Sequence, residues 1–311
     1  MRSISAGASL FVLLFAVGCN LAPWRRPSPE IGGGGVAPSG TTPTVDNLVK
    51  YLNENAKKIE PGQAINCTNL TIDINADGNT IGVSSMMVCQ TPRNFRMSGV
   101  VASNPVVEVG SNNKEFWFWI RENKPPYLYH CSYDDLARGV KVPFPFQPDM
   151  VLNALGLAQY DPSKEYKMQF VDDKRGHKSI ELTENALSLQ RTPIQKVTVF
   201  DSQAAQFPRP QVLAHIVKDE QGKVICVANI RSTQRVGANG VILPKEITFN
   251  WPDQKLQMKM RLENPRVIPM PESKVATVFT RRNLNYQSFD LATQTVDGSG
   301  VQRAGATYRG P

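Results

Sequence analysis

The chain has 311 residues, of which 41% are hydrophobic and 20% are charged. This composition excludes an intrinsically disordered protein, and the single long apolar run excludes a membrane protein with several spans. The formal net charge of +8 is modest, and no block of five or more consecutive Lys and Arg is present. A charge of this size is only weak support for nucleic-acid binding, because it suits binding to an anionic lipid surface equally well. We therefore expect no nucleic-acid partner.

The first residues have the pattern of a secretory signal. Arg2 precedes a short apolar run, 9–17, which is too short for a permanent transmembrane helix. The run ends in Ala16-Val17-Gly18-Cys19, which resembles a bacterial lipobox, where the signal is cut before the cysteine and the thiol is lipidated. We therefore predict a lipoprotein signal peptide over 1–18 and lipidation of Cys19. A plain signal peptide, or an uncleaved anchor with a chance cysteine, is the alternative.

Two segments outside the predicted globular region lack any periodic pattern. Pro and Gly dominate residues 19–43, which we interpret as a lipidated cysteine followed by a flexible tether. Residues 292–311 are rich in Gly, Thr, Gln and Ser, which predicts a disordered tail. Asn20 stands where Asp would resemble an inner-membrane retention signal of enteric bacteria. We therefore expect a lipid-anchored protein of the cell envelope, at the outer membrane and facing the periplasm.

Two helices are predicted in the globular region, 44–291. Thr44 can cap the first helix, which an apolar stripe at helical spacing extends through residue 59. Pro148-Asp149 can begin the second helix, over 150–157. The apolar stripe of the first helix is typical of core packing and is also compatible with a lid over a cavity.

Most of the remaining globular region has the pattern of β-strands. The clearest pair is 246–251 and 255–263, where apolar and polar residues alternate on both sides of a turn at Pro252-Asp253. The other predicted strands are 65–74, 80–89, 94–102, 115–120, 127–131, 165–171, 178–183, 195–200, 212–218 and 223–230. We predict a mainly β (α+β) fold, in which a curved antiparallel sheet of about eleven strands forms an unclosed β-barrel and helices cover its concave face.

Apolar residues of two parts of this sheet are candidates for the wall of a cavity. A long sheet curls, so its apolar concave face must be filled by helices or by a ligand. The candidates are Phe116, Trp117, Phe118, Trp119, Ile247, Phe249, Trp251, Leu256, Met258, Met260 and Leu262. Which of residues 116–119 point inward is left open. Flexible Met side chains suit variable apolar ligands, and ordinary core packing is the alternative interpretation.

The order of several motifs carries a resemblance to a known family. Asn94–Gly99 is followed by Val107–Gly110 and by Asn113–Trp119. A later hairpin begins at Leu243-Pro-Lys-Glu and ends near Asn264-Pro-Arg-Val, and closing segments begin at Pro269 and Ser288. Over most of the globular region, this order resembles the LolA/LolB-like superfamily of bacterial lipoprotein-sorting proteins.

The resemblance implies both a fold and a function. Family members are unclosed β-barrels with helices over the open mouth, and they bind acyl chains or other apolar groups inside. It therefore implies a carrier or receptor in lipoprotein or lipid sorting, which acts as a monomer on a lipid or an acylated protein. The globular region is longer than a minimal member, and the protruding apolar loop of a family receptor has no counterpart that we can place. A structural or regulatory lipoprotein that binds a protein partner or senses lipid is the alternative.

Four cysteines remain after the predicted lipidation: Cys67, Cys89, Cys131 and Cys226. In an exported protein, four cysteines indicate up to two disulfides. A three-residue turn at 77–79 would place Cys67 opposite Cys89, close enough for a bridge, and Cys131–Cys226 follows by exclusion. Buried free thiols are the alternative. The absence of a C-x-x-C spacing argues against a zinc or redox site.

The sequence contains no recognisable catalytic or metal-binding pattern. It has no G-x-S-x-G motif, and His130, His177 and His215 are far apart and lack metal-ligand neighbours. Asp134-Asp135 and Asp172-Asp173 are adjacent pairs, whose side chains diverge. We therefore predict a protein that is not an enzyme and has no metal or cofactor.

Overall fold

The computed structural model describes residues 43–76, 78–142, 148–172, 178–202, 211–282 and 286–297. The predicted signal segment, Cys19, nearly all of the tether, and residues 298–311 of the tail lie outside these ranges. Four helices are described: α1 (Val45–Ala56), α2 (Tyr133–Ala137), α3 (Pro148–Ala154) and α4 (Glu272–Val278). Over the ranges that the structure describes, none of the helices combines the length and the apolar character needed to cross a bilayer.

The described residues form sixteen strands of one sheet. Their bounds are β1 (Gln63–Ala76), β2 (Asn79–Gln90), β3 (Asn94–Val101), β4 (Asn104–Ser111), β5 (Glu115–Ile120), β6 (Leu128–Ser132), β7 (Tyr166–Asp172), β8 (Lys178–Leu187), β9 (Pro193–Asp201), β10 (Val212–Asp219), β11 (Val224–Val236), β12 (Val241–Trp251), β13 (Leu256–Glu263), β14 (Arg266–Pro269), β15 (Ser288–Asp290) and β16 (Thr295–Asp297). The sheet is curved and unclosed, as predicted.

The sheet consists of two runs of sequential antiparallel strands, β1–β6 and β7–β13, which meet where β1 pairs with β13. Apolar residues pair across this junction, since Leu70 lies opposite Leu262 and Ile72 lies opposite Met260. Beyond β6, β15 adds in parallel and β16 forms the edge strand. The opposite edge is β7, so the two ends of the sheet are not hydrogen-bonded to each other.

The predicted number of about eleven strands is wrong, because the sheet contains sixteen in the described residues. Each predicted strand is present, and the additional ones are β4, β14, β15 and β16. β4 contains Pro105 and Gly110, which are uncommon in strand interiors. The other three have only three or four residues, which is too short for an alternating pattern. Residues 292–297, at the start of the predicted tail, form a turn and β16.

The first helix confirms the predicted cap and apolar stripe, but it ends at Ala56 and not at residue 59. The Thr44 hydroxyl accepts a hydrogen bond from the Asn47 backbone N–H, and the Asn47 side chain accepts one from the Thr44 N–H. The stripe residues Leu48, Val49 and Leu52 are buried. They pack against Ile180 and Leu182 of β8 and Phe200 of β9, so α1 covers one end of the sheet.

The other helices are divided between the two faces of the sheet. α3 packs into the main core, where Val151 and Leu152 contact the same cluster as Phe249 and Met260. Helix α4 instead lies on the opposite, outer face, where Val275 and Val278 pack near Ala64 of β1. The expectation that helices cover the concave face is therefore correct for α1 and α3 and wrong for α4. The reason is that β1 and β2 present apolar residues, Ala64 and Val88, on their outer side.

Gly110 of β4 gives a first testable prediction, because a Cβ atom at this position would overlap the indole ring of Trp117 on the paired strand β5. Trp117 is fully buried, so its ring has no free space into which it can move. We expect Gly110→Ala to lower the free energy of unfolding by about 1–3 kcal/mol, as measured by urea denaturation. Gly82→Ala in β2 is the matched control, because its Cβ would meet only Asp73 Oδ1 at 3.5 Å. Equal stabilities of the two variants would contradict the prediction.

Candidate functional site

The aromatic run of β5 is divided between the two faces of the sheet. Phe116 and Phe118 lie on the concave face, within the main core. Trp117 and Trp119 lie on the outer face in a separate cluster with Leu128, and Trp119 stacks on Tyr286 at a ring distance of 4.4 Å. This division answers the question that the sequence left open. All four side chains are buried, so the two tryptophans are covered although they do not face the concavity.

The apolar rows of β12 and β13 share the concave face. Ile247 lies opposite Met260, Phe249 lies opposite Met258, and Trp251 lies opposite Leu256. Ile247, Met260 and Leu262 are fully buried in the main core. Among the predicted wall residues, Phe249 and Trp251 line an open volume. The concave face is therefore packed in its centre and open next to α3.

The open volume next to Phe249 and Trp251 is about 290 Å³. It lies between α3, strands β8–β12 and the turn at 188–192, and we name it the apolar chamber. Its apolar lining consists of Val142, Met150, Leu187, Leu189, Ile194, Val217, Ile225, Cys226, Ala228, Phe249 and Trp251. Leu187 and Ile225 are 56% and 39% exposed, so apolar side chains also reach the protein surface next to two hairpin turns.

A second volume, of about 480 Å³, lies on the other side of α3, and we name it the polar chamber. Its polar lining consists of Thr91, Asp149, Asn153, Gln159, Tyr160, Glu184 and Lys196. Leu152, Leu157, Ala158 and Pro92 complete the wall. Three residues, Asp149, Asn153 and Lys196, line both chambers, so the two volumes adjoin beneath the first turns of α3.

A chain of hydrogen bonds runs along the wall between the two chambers. Tyr160 Oη lies 3.1 Å from Asn153 Oδ1 and 3.0 Å from Thr198 Oγ1. Thr198 Oγ1 lies in turn 3.4 Å from His215 Nδ1. Burial lowers the pKa of His215 to about 4 and raises the pKa of Tyr160. Both groups are therefore neutral at neutral pH, which suits a wall that contacts an apolar ligand.

The charged residues that line the polar chamber, Asp149, Glu184 and Lys196, all have an oppositely charged neighbour. Glu184 lies between Lys164 and Lys196, each 3.8 Å from one of its carboxylate oxygens. Asp149 Oδ2 lies 3.5 Å from Arg93 Nε. Asp149 Oδ1 is buried and has no hydrogen-bond partner among the described residues. Burial raises the pKa of Asp149, although Arg93 and Lys196 act in the opposite direction.

The sequence analysis missed most residues of the polar chamber. Asp149 was identified only as the start of a helix, and Asn153, Tyr160, Glu184 and Lys196 belong to no motif. They come from α3, the segment after it, β8 and β9, and only the curvature of the sheet brings them together. The sequence analysis noted His215 only as a histidine without metal-ligand neighbours. The structure places it on the wall of the apolar chamber.

The cysteines do not have the predicted register. Cys67 lies opposite Met87, and Cys89 lies opposite Ile65. The β1–β2 ladder pairs Ala76 with Asn79 at the turn, which is one position away from the predicted register, and it shifts once more between Cys67 and Leu70. The expectation that Cys67 lies directly opposite Cys89 is therefore wrong, since a symmetric turn cannot account for a bulge further along the strands. Cys67, Cys89, Cys131 and Cys226 are all buried free thiols in the structure. Burial raises the pKa of Cys89, Cys131 and Cys226 to about 12.

Known structures share this architecture. No model of a protein family matches the sequence, and no curated protein matches it. A DUF1329 family protein from Desulfovibrio piger matches with a TM-score of 0.50 and 9% identity, over 75% of this chain and 98% of that chain. An outer membrane lipoprotein-sorting domain assigned in Vibrio parahaemolyticus matches with a TM-score of 0.50 and 11% identity, over 76% of this chain and all (100%) of that chain. The chain has a LolA/LolB-like fold.

A third structure, a LolA superfamily protein from Nitrosomonas europaea, has a TM-score of 0.44 at 13% identity, over 75% of this chain and 97% of that chain. For the two structures with a TM-score of 0.50, the identities of 9% and 11% mean that the likeness is one of fold. The resemblance read from the motif order is therefore confirmed for the LolA/LolB-like fold. A fold of this kind does not by itself determine function, which depends on the residues of the site.

Proposed function

We propose that this protein is a membrane-anchored lipoprotein of the cell envelope that binds an acyl chain or a lipoprotein anchor, as a carrier or receptor in lipoprotein or lipid sorting. The apolar chamber is the observation that carries the proposal. Its volume of about 290 Å³ is just below the range for small-molecule sites, roughly 300–1,000 Å³. This size favours a single chain. No bond is broken in the proposed role, so we propose a binding protein and no enzymatic activity.

The chemistry of the chamber supports an acyl ligand. The rings of Phe249 and Trp251 stack with their centroids 5.6 Å apart and form an aromatic part of the wall. Val217, Ala228 and Ile194 add aliphatic surface. Each CH₂ group transferred from water into such a site contributes about 0.8 kcal/mol. The exposed Leu187 and Ile225 offer an apolar path between the chamber and the surface.

Native mass spectrometry tests this proposal directly. A chain that begins at Asn20, and so lacks the predicted signal and the lipidation site, would be purified from cells without detergent. We expect a co-purified lipid and displacement of a fluorescent fatty acid by unlabelled myristate. A protein that carries no lipid and binds no fatty acid would overturn the proposal. Capture of a protein partner by such a lipid-free chain would favour the regulatory alternative.

A pair of substitutions in β10 provides the second testable prediction. Val217 lines the apolar chamber, whereas the adjacent Ile216 packs with Val197 and Val199 on the outer face. We expect Val217→Phe to weaken fatty-acid binding about tenfold or more, because the larger ring fills the chamber. Ile216→Phe is the matched control, because it adds the same ring on the other face and leaves the chamber unchanged. Fluorescence titration measures the affinity, and circular dichroism checks that both variants fold. Unchanged affinity in Val217→Phe would indicate that the acyl chain binds outside the apolar chamber.

Sorting is a cellular role and needs a separate test. In a strain that lacks this protein, we expect lipoproteins to accumulate in the wrong membrane, as measured by fractionation and immunoblotting. A strain with unchanged lipoprotein distribution would contradict sorting. Ligand binding is tested independently by native mass spectrometry and by the titration of Val217→Phe.

A further inference from the structure

Strand β11 contributes the smallest apolar side chains of the apolar chamber, Cys226 and Ala228. Ala228 lies between two large side chains, because it pairs with His215 of β10 and with Phe249 of β12. Cys226 pairs with Val217 of β10. Directly opposed residues are only about 4.5–5.5 Å apart at Cβ, so a methyl group between two rings leaves a depression. The floor of the chamber is therefore a trough along β11, with side walls from β10 and β12.

The two ends of this trough differ in their access to water. The outer end lies at the start of β11, where Ile225 is exposed next to the turn from β10. Leu187, which also lines the chamber, is exposed as well. At the inner end, Ile230 lies opposite Ile247, and both are buried. A chain in the trough therefore meets water at Ile225 and apolar side chains beyond Ala228.

A head group fits the outer end better than the inner end. A carboxylate at the surface keeps its hydration, whereas burial of a charge is costly. Asp149 also lines the chamber, and its carboxylate would repel a second one inside. The head of a lipoprotein anchor is attached to a protein, which is far too large for a volume of about 290 Å³. These arguments place the methyl end of the chain at the inner end.

We propose that the acyl chain lies along β11 with its head at Ile225 and its methyl end at Ala228, and that Ala228 sets the longest chain that the chamber accepts. This inference rests on the proposed function, since it assumes that the apolar chamber binds an acyl chain. It adds a binding direction and a residue that determines specificity for chain length. Cys226, two residues nearer the outer end, would contact short and long chains alike.

Two substitutions in the trough test the role of Ala228. Decanoate and myristate would compete with a fluorescent fatty acid for the chain that begins at Asn20. We expect Ala228→Ile to weaken myristate binding about tenfold or more, at about fourfold for each CH₂ group that loses its place, and to keep decanoate within about twofold. Cys226→Ile is the matched control, because it adds the same side chain near the outer end, and we expect it to weaken both probes equally. Circular dichroism checks that both variants fold.

Quenching of tryptophan fluorescence tests the direction of the chain in the unsubstituted protein. Trp251 lines the chamber and lies two residues beyond Phe249 along β12, on the side of Cys226 and the outer end. We expect a bromine atom next to the carboxylate of myristate to quench Trp251 more strongly than a bromine atom at the methyl end. Trp251→Phe is the control, because the difference between the two brominated probes should disappear with this side chain.

The outcomes separate this inference from the proposed function. In Ala228→Ile, unchanged myristate affinity or an equal loss of both probes would overturn the inference and leave acyl binding intact, as would stronger quenching from the methyl end. Failure of decanoate and myristate to bind the unsubstituted chain would overturn both. A loss confined to myristate, with stronger quenching from the carboxylate end, would support both. If Ala228→Ile does not fold, the quenching measurement still decides the direction of the chain.

Discussion

Replacing Glu108 with leucine is expected to lower the free energy of unfolding by about 3–5 kcal/mol, because it leaves a buried guanidinium without its counter-ion. Arg96 Nη2 lies 2.6 Å from Glu108 Oε1, and the two side chains are only 11% and 9% exposed. Arg96 Nη1 also donates a hydrogen bond to the Val278 carbonyl oxygen, at the end of α4. Burial raises the pKa of Glu108, and the neighbouring Arg96 opposes that shift. This pair therefore joins β3 and β4 to α4 on the outer face.

The matched double variant separates the loss of the pair from the loss of polar groups. We expect Arg96→Met with Glu108→Leu to recover most of the lost stability, because no uncompensated charge remains buried. Glu54→Ala is a second control, since Lys50 and Glu54 form an exposed pair 3.8 Å apart on α1, which contributes at most about 0.5 kcal/mol. Urea unfolding of the four proteins measures these differences. A Glu108→Leu variant no less stable than Glu54→Ala would contradict the prediction.

The parts of the fold that could be predicted are those with a long local pattern. In β13 the apolar residues Met258, Met260 and Leu262 alternate with polar ones, and the structure buries them as the alternation requires. The Thr44 cap and the stripe of α1 are equally local. β15 has three residues, and it pairs in parallel with β6, which lies far away in the sequence. No local pattern specifies such a pairing.

The candidate site shows the same limit. Sequence alternation placed Phe249 and Trp251 on the concave face, and both line the apolar chamber. The same alternation predicted Met260 and Leu262 as residues of the cavity wall, but both are fully buried in the structure. The difference depends on where α3 packs against the sheet, because the helix fills the centre and leaves a volume on either side. That position is a tertiary property, so strand periodicity could not reveal it.

His215 carries the second of the large predictions, which concerns stability and pH. Burial lowers its pKa to about 4 in the folded protein, whereas an unfolded histidine titrates near 6.5. Between these values the unfolded state binds the proton and the folded state does not. Stability is therefore highest above pH 6.5 and falls as the pH is lowered towards 4, by about 3 kcal/mol in total.

The measurement compares the unsubstituted chain with His215→Leu from pH 8 to pH 4. Thr198 keeps its contact with Tyr160 at 3.0 Å, so the substitution removes only the last member of the hydrogen-bonded chain. Asp149 has a raised pKa and titrates with the opposite sign, because its folded form holds the proton to higher pH. Both proteins contain Asp149, so its contribution cancels in the difference between the two curves. We expect that difference to change by about 3 kcal/mol between pH 6.5 and pH 4.

The same titration bears on binding, because His215 lines the apolar chamber. A bound acyl chain excludes water from the imidazole and makes its protonation still less favourable. The free folded protein takes up this proton only near and below pH 4. Acid of that strength should therefore weaken the binding of an uncharged ligand such as monomyristoylglycerol in the unsubstituted chain, and it should do so less in His215→Leu. Parallel stability curves together with equal pH dependence of binding would show that His215 is exposed to water and that the chamber wall is not as described. If the unsubstituted protein and His215→Leu differ in the pH dependence of both stability and binding, then His215 contributes to stability and also lies where the acyl chain binds.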